Sequence, residues 1–297
     1  MNIFDIIKNR VFIACIAMLT IFTIGYLSYK PRESVVTQLY TFPHHVPRLK
    51  QHDEQVRNGV PLVIYESWHS HDIPEGMVDN INNLLKVNPE FDYYLFSDED
   101  CANFIESNFD REVLEAFHML KPGAFKSDLW RYCVLYKKGG VYLDIKYYSV
   151  QPLIDLIDEN QTVFVKDTGL PSTDGGCFYN GFMISPPNNE IFKKCIDDIV
   201  KSCKSQLYRR NMFDITGPCL LGRILTKEYS EEYSDSVNFE YANLNGNFWN
   251  YYPGISYKGE IILKHYDNYR SEQKKTENET HYGRLYAKGD VYITKKG

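Results

Sequence analysis

Asp128, Arg131 and Asp144 are the residues of this chain whose types and spacing lend themselves most readily to chemistry. All three fall in the segment 124–147, AFKSDLWRYCVLYKKGGVYLDIKY. On a helix, Asp128 and Arg131 stand three residues apart and share a face with Leu135. Gly139-Gly140 then stops the helix, and Asp144 arrives near the C-terminal end of a strand over 141–145. In open α/β sheets ligands bind in the crevice beyond the carboxyl ends of the strands. Two helix-borne charges and a strand-borne acid can therefore meet around one phosphate-bearing ligand. Taken singly, Asp128 and Arg131 also read as a solvated helix pair worth about a few tenths of a kcal/mol. Tyr132, Leu135 and Tyr142 weigh against that reading, because they mark this helix and strand as core elements with positioned neighbours.

The elements that must position these residues are legible on either side. Leu62–Tyr65 reads as a short buried strand ending at Glu66-Ser67-Trp68, and Pro74 opens a helix with Met77, Ile81, Leu84 and Leu85 at helical spacing. A strand over Tyr93–Phe96 completes a βαβ unit, and so a parallel sheet. Helical sequence runs from Asp98 to Leu120, then from Gly123 to Tyr136. Two further helices are expected, at Asn188–Cys203 and about Gly217–Leu225. The sequence after Phe239 is rich in Tyr and Gly, with short strand-like runs.

The Asp128–Asp144 string resembles the hallmark of glycosyltransferase family 32, the sugar transferases with a DXD motif. That family includes the yeast initiating mannosyltransferases and is more distantly similar to the glucosyltransferase domains of clostridial toxins. The pattern is an acid-x-x-Arg-Tyr helix, Leu-Tyr, a Gly-Gly turn and a strand ending in Asp-x-Asp. Here it stands as Asp128-Leu129-Trp130-Arg131-Tyr132, Leu135-Tyr136 and Gly139-Gly140-Val141-Tyr142-Leu143-Asp144. The similarity extends to PLVIYESW at 61–68, to Asn88–Leu95, to Tyr179-Asn180-Gly181-Phe182-Met183, to Thr216-Gly217-Pro218, and to His281–Tyr286. The resemblance implies a GT-A fold, a Rossmann-like nucleotide-sugar-binding sheet flanked by helices. It implies transfer of a hexose from a UDP- or GDP-sugar to a glycan, glycolipid or protein acceptor, with retention of configuration. By the same resemblance, Asp128 and Arg131 would contact the donor's ribose or sugar, and Trp68 would stack near the base. Asp144 would bind Mn²⁺ or another divalent cation bridging the diphosphate. Tyr286 stands where the family has a late tryptophan that closes over the donor.

The motif departs from the family at one position: Lys146 occupies the place of the second acid, in Asp144-Ile145-Lys146. An ammonium cannot ligate a hard dication. Three readings stay open. Asp144 holds the metal with His265 or His281 and water; or Lys146 itself neutralises the diphosphate; or Asp144 alone matters. The first is the expectation, with Asp144, His281 and His265 as the metal residues and Asp128, Arg131, Asp144 and Lys146 as the catalytic set. Lys146 and Tyr286 also keep a rival open, a non-catalytic membrane-bound glycan- or nucleotide-sugar-binding protein derived from a transferase.

Val11–Tyr29 carries no charge over nineteen residues, roughly 28 Å of helix, enough to span a hydrocarbon core. No small-residue cleavage site follows before Pro31, so an uncleaved signal anchor is expected. The organisation is then a tail (1–10), a transmembrane helix (11–29), a stalk (30–59) and one transferase domain (60–297). That order fits a single-pass, type II protein of Golgi or ER membranes. Two sequons, at Asn160 and Asn278, add weak support for a secretory lumen. A net charge of −6 argues against a nucleic-acid partner, which would demand a concentrated basic surface. The seven cysteines show no CxxC pair and no zinc-like spacing.

Overall fold

The computed structural model describes residues 38–50, 54–168, 170, 176–228, 239–243, 253–276 and 280–293. The expected membrane span at 11–29, the first part of the expected stalk and Asn278 lie outside them. Among the described residues no helix is long and apolar enough to cross a membrane.

The strands in chain order are β1 (Leu39–Thr41), β2 (His45–Val46), β3 (Val56–Arg57), β4 (Val60–Pro61), β5 (Val63–Ser67), β6 (Asp72–Pro74), β7 (Asp92–Phe96), β8 (Gly140–Leu143), β9 (Tyr147–Ser149), β10 (Val163–Asp167), β11 (Cys177–Ser185), β12 (Phe239–Asn243), β13 (Pro253–Tyr257) and β14 (Glu260–His265). The helices are α1 (Glu75–Val87), α2 (Asp98–Asn108), α3 (Arg111–Met119), α4 (Gly123–Lys138), α5 (Leu153–Glu159), α6 (Glu190–Lys204), α7 (Pro218–Glu228), α8 (Tyr269–Thr276) and α9 (Tyr282–Ala287). Ten strands form one mixed sheet in the order β2-β7-β5-β8-β11-β10-β12-β13-β14-β9. The expected βαβ unit is present, because β5 runs parallel to both β7 and β8. From β8 outward most pairings are antiparallel, with only β10 and β12 parallel.

Alternation along the central strands sorts side chains to two cores. Tyr65 and Tyr142 join the cluster built with α4 and α6. Ile64, Val141 and Leu143 join the cluster built with α1 and α5. Helices thus cover both faces of the sheet, and α4 is buried along most of its length from Phe125 to Leu135.

The stalk expectation fails over the described part of 38–59. Strand β2 extends the large sheet by pairing with β7, β1 pairs with β6, and Phe42 is buried. Two- and three-residue strands carry no periodicity, so the sequence offered nothing to set them apart from a linker.

The turn between α4 and β8 requires both glycines. Gly139 and Gly140 adopt φ of 65° and 97°. A Cβ on Gly140 would lie 2.8 Å from the Val63 carbonyl oxygen of the neighbouring strand. Gly140→Ala therefore adds a backbone clash to left-handed strain. We expect its urea midpoint to fall by the equivalent of about 2–3 kcal/mol. Gly259→Ala, at φ 84° but with open space around the added methyl, is expected to lose clearly less.

Candidate functional site

The three residues singled out from the sequence meet. Asp144 follows β8 directly, and the Tyr147 amide donates to the Asp144 carbonyl at 3.0 Å, closing a turn over Ile145 and Lys146. The turn swings Lys146 back, so that its Nζ stands 2.7 Å from Asp144 Oδ2. Arg131, reaching across from α4, brings Nη1 to 3.3 Å from Asp144 Oδ1 and Nη2 to 3.3 Å from Asp128 Oδ1. Asp128 and Arg131 are buried, 9% and 5% exposed, which overturns the reading of a solvated helix pair.

Groups distant in sequence complete the cluster. Asn180 on β11 donates to Asp128 Oδ1 at 2.9 Å and to the Tyr132 hydroxyl at 3.1 Å, and its carbonyl accepts from Arg131 Nη1 at 2.8 Å. Thr216 donates to Asp128 Oδ2 at 2.7 Å. Ser127 accepts from Arg131 Nη2 at 2.9 Å and lies 2.9 Å from the hydroxyl of Ser67 at the end of β5. The Arg131 guanidinium also lies over the Tyr142 ring, 4.5 Å from its centre. A disulfide between Cys177 on β11 and Cys219 on α7 ties together the two segments that supply Asn180 and Thr216. Gly181 makes room for the carboxylate: a Cβ there would fall 2.5 Å from Asp144 Oδ2.

The electrostatics follow from this crowding. Burial works to raise the Asp144 carboxyl, but the Lys146 ammonium and the Arg131 guanidinium hold it well below the usual carboxylate range, so it is ionised. Burial raises Asp128, against the pull of Arg131, Thr216 and Asn180. Lys146 is lowered, chiefly by burial, with Asp144 opposing; Arg270 on α8 and Arg131 lower it further. Two acids and two cations balance within the cluster, and Arg270 acts on Lys146 and His265 from α8.

Both Asp144 oxygens are fully engaged. Oδ1 accepts from Tyr142 at 2.9 Å and faces Arg131; Oδ2 faces Lys146 and accepts from Tyr179 at 3.2 Å. A carboxylate offers about four lone-pair directions; two hydroxyls donate to this one and two cations flank it. A divalent cation at Asp144 would have to displace two positive charges, so the expected metal set does not fit this arrangement. His265 does lie nearby, buried at the end of β14 with Nε2 lacking a partner. Burial, then Lys146 and Arg270, push it down to about 2, which keeps it neutral. His281 is elsewhere engaged, capping α9 by accepting from the Gly283 amide at 3.2 Å and stacking on Tyr282. Tyr286 donates to the Arg209 carbonyl at 2.8 Å rather than to the cluster. Trp68 follows Ser67 at the mouth of β5, buried and tilted against His69.

Glu66 went unassigned in the sequence. It is fully buried on β5, its Oε2 accepts from Tyr93 at 2.7 Å, and its Oε1 has no partner. A lone carboxyl in the apolar run PLVIYESW was the signal that could have found it. Burial raises it to about 8, opposed by the Tyr93 hydrogen bond and aided by the charge on Asp144. The folded chain therefore keeps a proton that the unfolded chain releases above the ordinary Glu range. The Glu66 contribution to stability falls as pH rises from about 4.5 to about 8, by up to ~1.4 kcal/mol per pH unit. Neutral His265 contributes in the opposite sense up to about 6.5. Urea midpoints should therefore decline between pH 6.5 and 8, and Glu66→Gln should remove most of that decline.

Comparison with known proteins agrees with the likeness read from the motif. Residues 74–163 match a family described as "Glycosyltransferase sugar-binding region containing DXD motif". Inositol phosphoceramide mannosyltransferase 2 of Schizosaccharomyces pombe is 26% identical over 209 residues, 67% of this chain and 58% of that protein. The initiation-specific alpha-1,6-mannosyltransferase of Candida albicans is 28% identical over 144 residues, 46% of this chain and 35% of that protein. The chain thus spans between about a third and three fifths of these relatives' lengths. Among solved structures, "PaToxG Glycosyltransferase" aligns with a TM-score of 0.44 and 15% identity, covering 78% of this chain and 85% of that one.

Proposed function

We propose that this chain is a glycosyltransferase of the DXD-motif kind that neutralises its leaving diphosphate with Lys146 rather than with a metal ion. The observation that carries this reading is the ammonium of Lys146, 2.7 Å from Asp144 and just beyond the C-terminal end of β8, within the segment that matches the family. The parallel core β7-β5-β8, with Trp68 and Asp144 at its carboxyl ends, supports a GT-A fold with the nucleotide-sugar over that edge.

Each charged residue then has a task. When the bond from the sugar to the diphosphate breaks, the electron pair stays on the phosphate oxygen, and a fixed positive group stabilises it. Lys146 has three N–H groups; one meets Asp144 and two are left for phosphate oxygens. Asp144 orients that ammonium and opposes the burial that works to discharge it. Arg131 and Asp128 are buried and hydrogen-bonded throughout, so they act as a frame that fixes Asp144, in place of the donor contacts expected of them. Trp68 is the candidate surface for the base. Transfer of mannose, an inositol-phosphate lipid as acceptor, and retention of configuration rest on the relatives and the family likeness alone. The 11–29 segment supplies the membrane anchor, and the Cys177–Cys219 disulfide favours an oxidising lumen for the domain.

The saturated Asp144 also fits a second reading, a protein that binds the donor without turnover. Transfer and donor hydrolysis, assayed across UDP- and GDP-sugars with EDTA or Mn²⁺, separate the two. We expect activity in EDTA, its loss in Asp144→Ala, and a drop of about 10²-fold or more in Lys146→Met. Lys146→Asp should recover activity only with Mn²⁺. Donor binding with no turnover under any condition would leave the binding protein as the answer.

A further inference from the structure

Helix α8 brings a further cation, Arg270, to the neighbourhood of Lys146. Strand β14 pairs with β9 so that His265 stands opposite Tyr147, and the Tyr266 amide donates to the Lys146 carbonyl at 3.1 Å. The chain then turns, with the Tyr269 amide donating to the Tyr266 carbonyl at 3.2 Å, and α8 begins. A row of ring contacts links the two cations. Lys146 Nζ lies 5.6 Å from the centre of the Tyr147 ring, and Tyr147 meets His265 at 5.3 Å. His265 in turn meets Tyr269 at 5.8 Å, and the Arg270 guanidinium lies 5.6 Å from the Tyr269 centre.

Two observations point to an anion at this edge. Arg270 is exposed and bonds only the neutral amide of Gln273, at 3.2 Å; among the described residues no carboxylate pairs with it. His265 is 6% exposed, and its Nε2 has no partner, although a buried ring nitrogen ordinarily finds one. Burial lowers both Lys146 and His265, and Arg270 lowers each of them further, so its charge reaches both. An anion bound by Lys146 is attracted by Arg270 as well.

The helix that carries Arg270 is fastened by Glu272. Its Oε1 accepts from the Gly76 amide in the first turn of α1 at 3.2 Å, and its Oε2 accepts from the Tyr266 hydroxyl at 2.8 Å. Gly76 leaves room for that carboxylate, because a Cβ there would fall 2.5 Å from Oε1.

We propose that Arg270 is a second cation for the diphosphate of a nucleotide donor, and that Glu272 is the positioning residue that holds it over the site. The assignment rests on the reading of Lys146 given above. A guanidinium suits the role, since its planar fork meets phosphate oxygens in pairs.

Calorimetric titration of the full-length chain in detergent micelles with GDP and UDP, in EDTA, tests both parts. Arg270→Gln should weaken the nucleotide that binds by about tenfold or more. The loss should grow from Arg270→Lys through Arg270→Gln to Arg270→Glu, a charge order that a merely structural role would not produce. Glu272→Ala should also weaken binding, and adding it to Arg270→Gln should cost nothing more. Circular dichroism checks that each variant folds. Lys146→Met run alongside separates the two assignments. If Lys146→Met weakens binding and the Arg270 series leaves it unchanged, the role of Arg270 alone is overturned. If neither changes binding, the reading of Lys146 falls with it. A loss in Glu272→Ala that is equally large without Arg270 overturns the positioning role.

Discussion

The site depends on one carboxylate held between two cations. Asp144 is mostly buried, and a buried charge is tolerated only when paired and hydrogen-bonded. Arg131 from α4 and Lys146 from the following turn supply the pairing, and Tyr142 and Tyr179 fill what remains. Much of the surrounding fold can be understood as what this arrangement requires. The glycine turn aligns β8 with α4, Gly181 lets β11 approach the carboxylate, and the disulfide fastens the segments that bond Asp128.

The exchange of an acid for a lysine in the motif changes the physics of the site while keeping its sign. A DXD pair presents negative charge that a dication must invert before a diphosphate can bind. Here the positive charge is covalent and already paired, so the four side chains balance. A lysine delivers less charge than a dication, and that deficit is offset by burial, since attraction is stronger away from water.

The sequence carried the helix, the turn and the strand that bring Asp128, Arg131 and Asp144 together, because these are local patterns of period and punctuation. It flagged Lys146 as a departure but could not tell where its side chain went. That direction is set by a turn at 144–147, which begins before the expected strand end at Ile145. Asn180 and Thr216 sat in quoted motifs with no role, since their bonds to Asp128 span 52 and 88 residues and depend on sheet register. His281 and Tyr286 were assigned by likeness, and the structure spends one on a helix cap and the other on the Arg209 carbonyl. The antiparallel half of the sheet was obscured by Tyr- and Gly-rich sequence without clear alternation. The stalk was misread because its strands are too short to show a pattern.

Calorimetric titration of the full-length chain with GDP and UDP, in EDTA and then in Mn²⁺, tests the central claim most directly. One nucleotide should bind with the same affinity in both, and Lys146→Met should abolish binding in EDTA. Binding that appears only with Mn²⁺, and is unaffected by Lys146→Met, would contradict it.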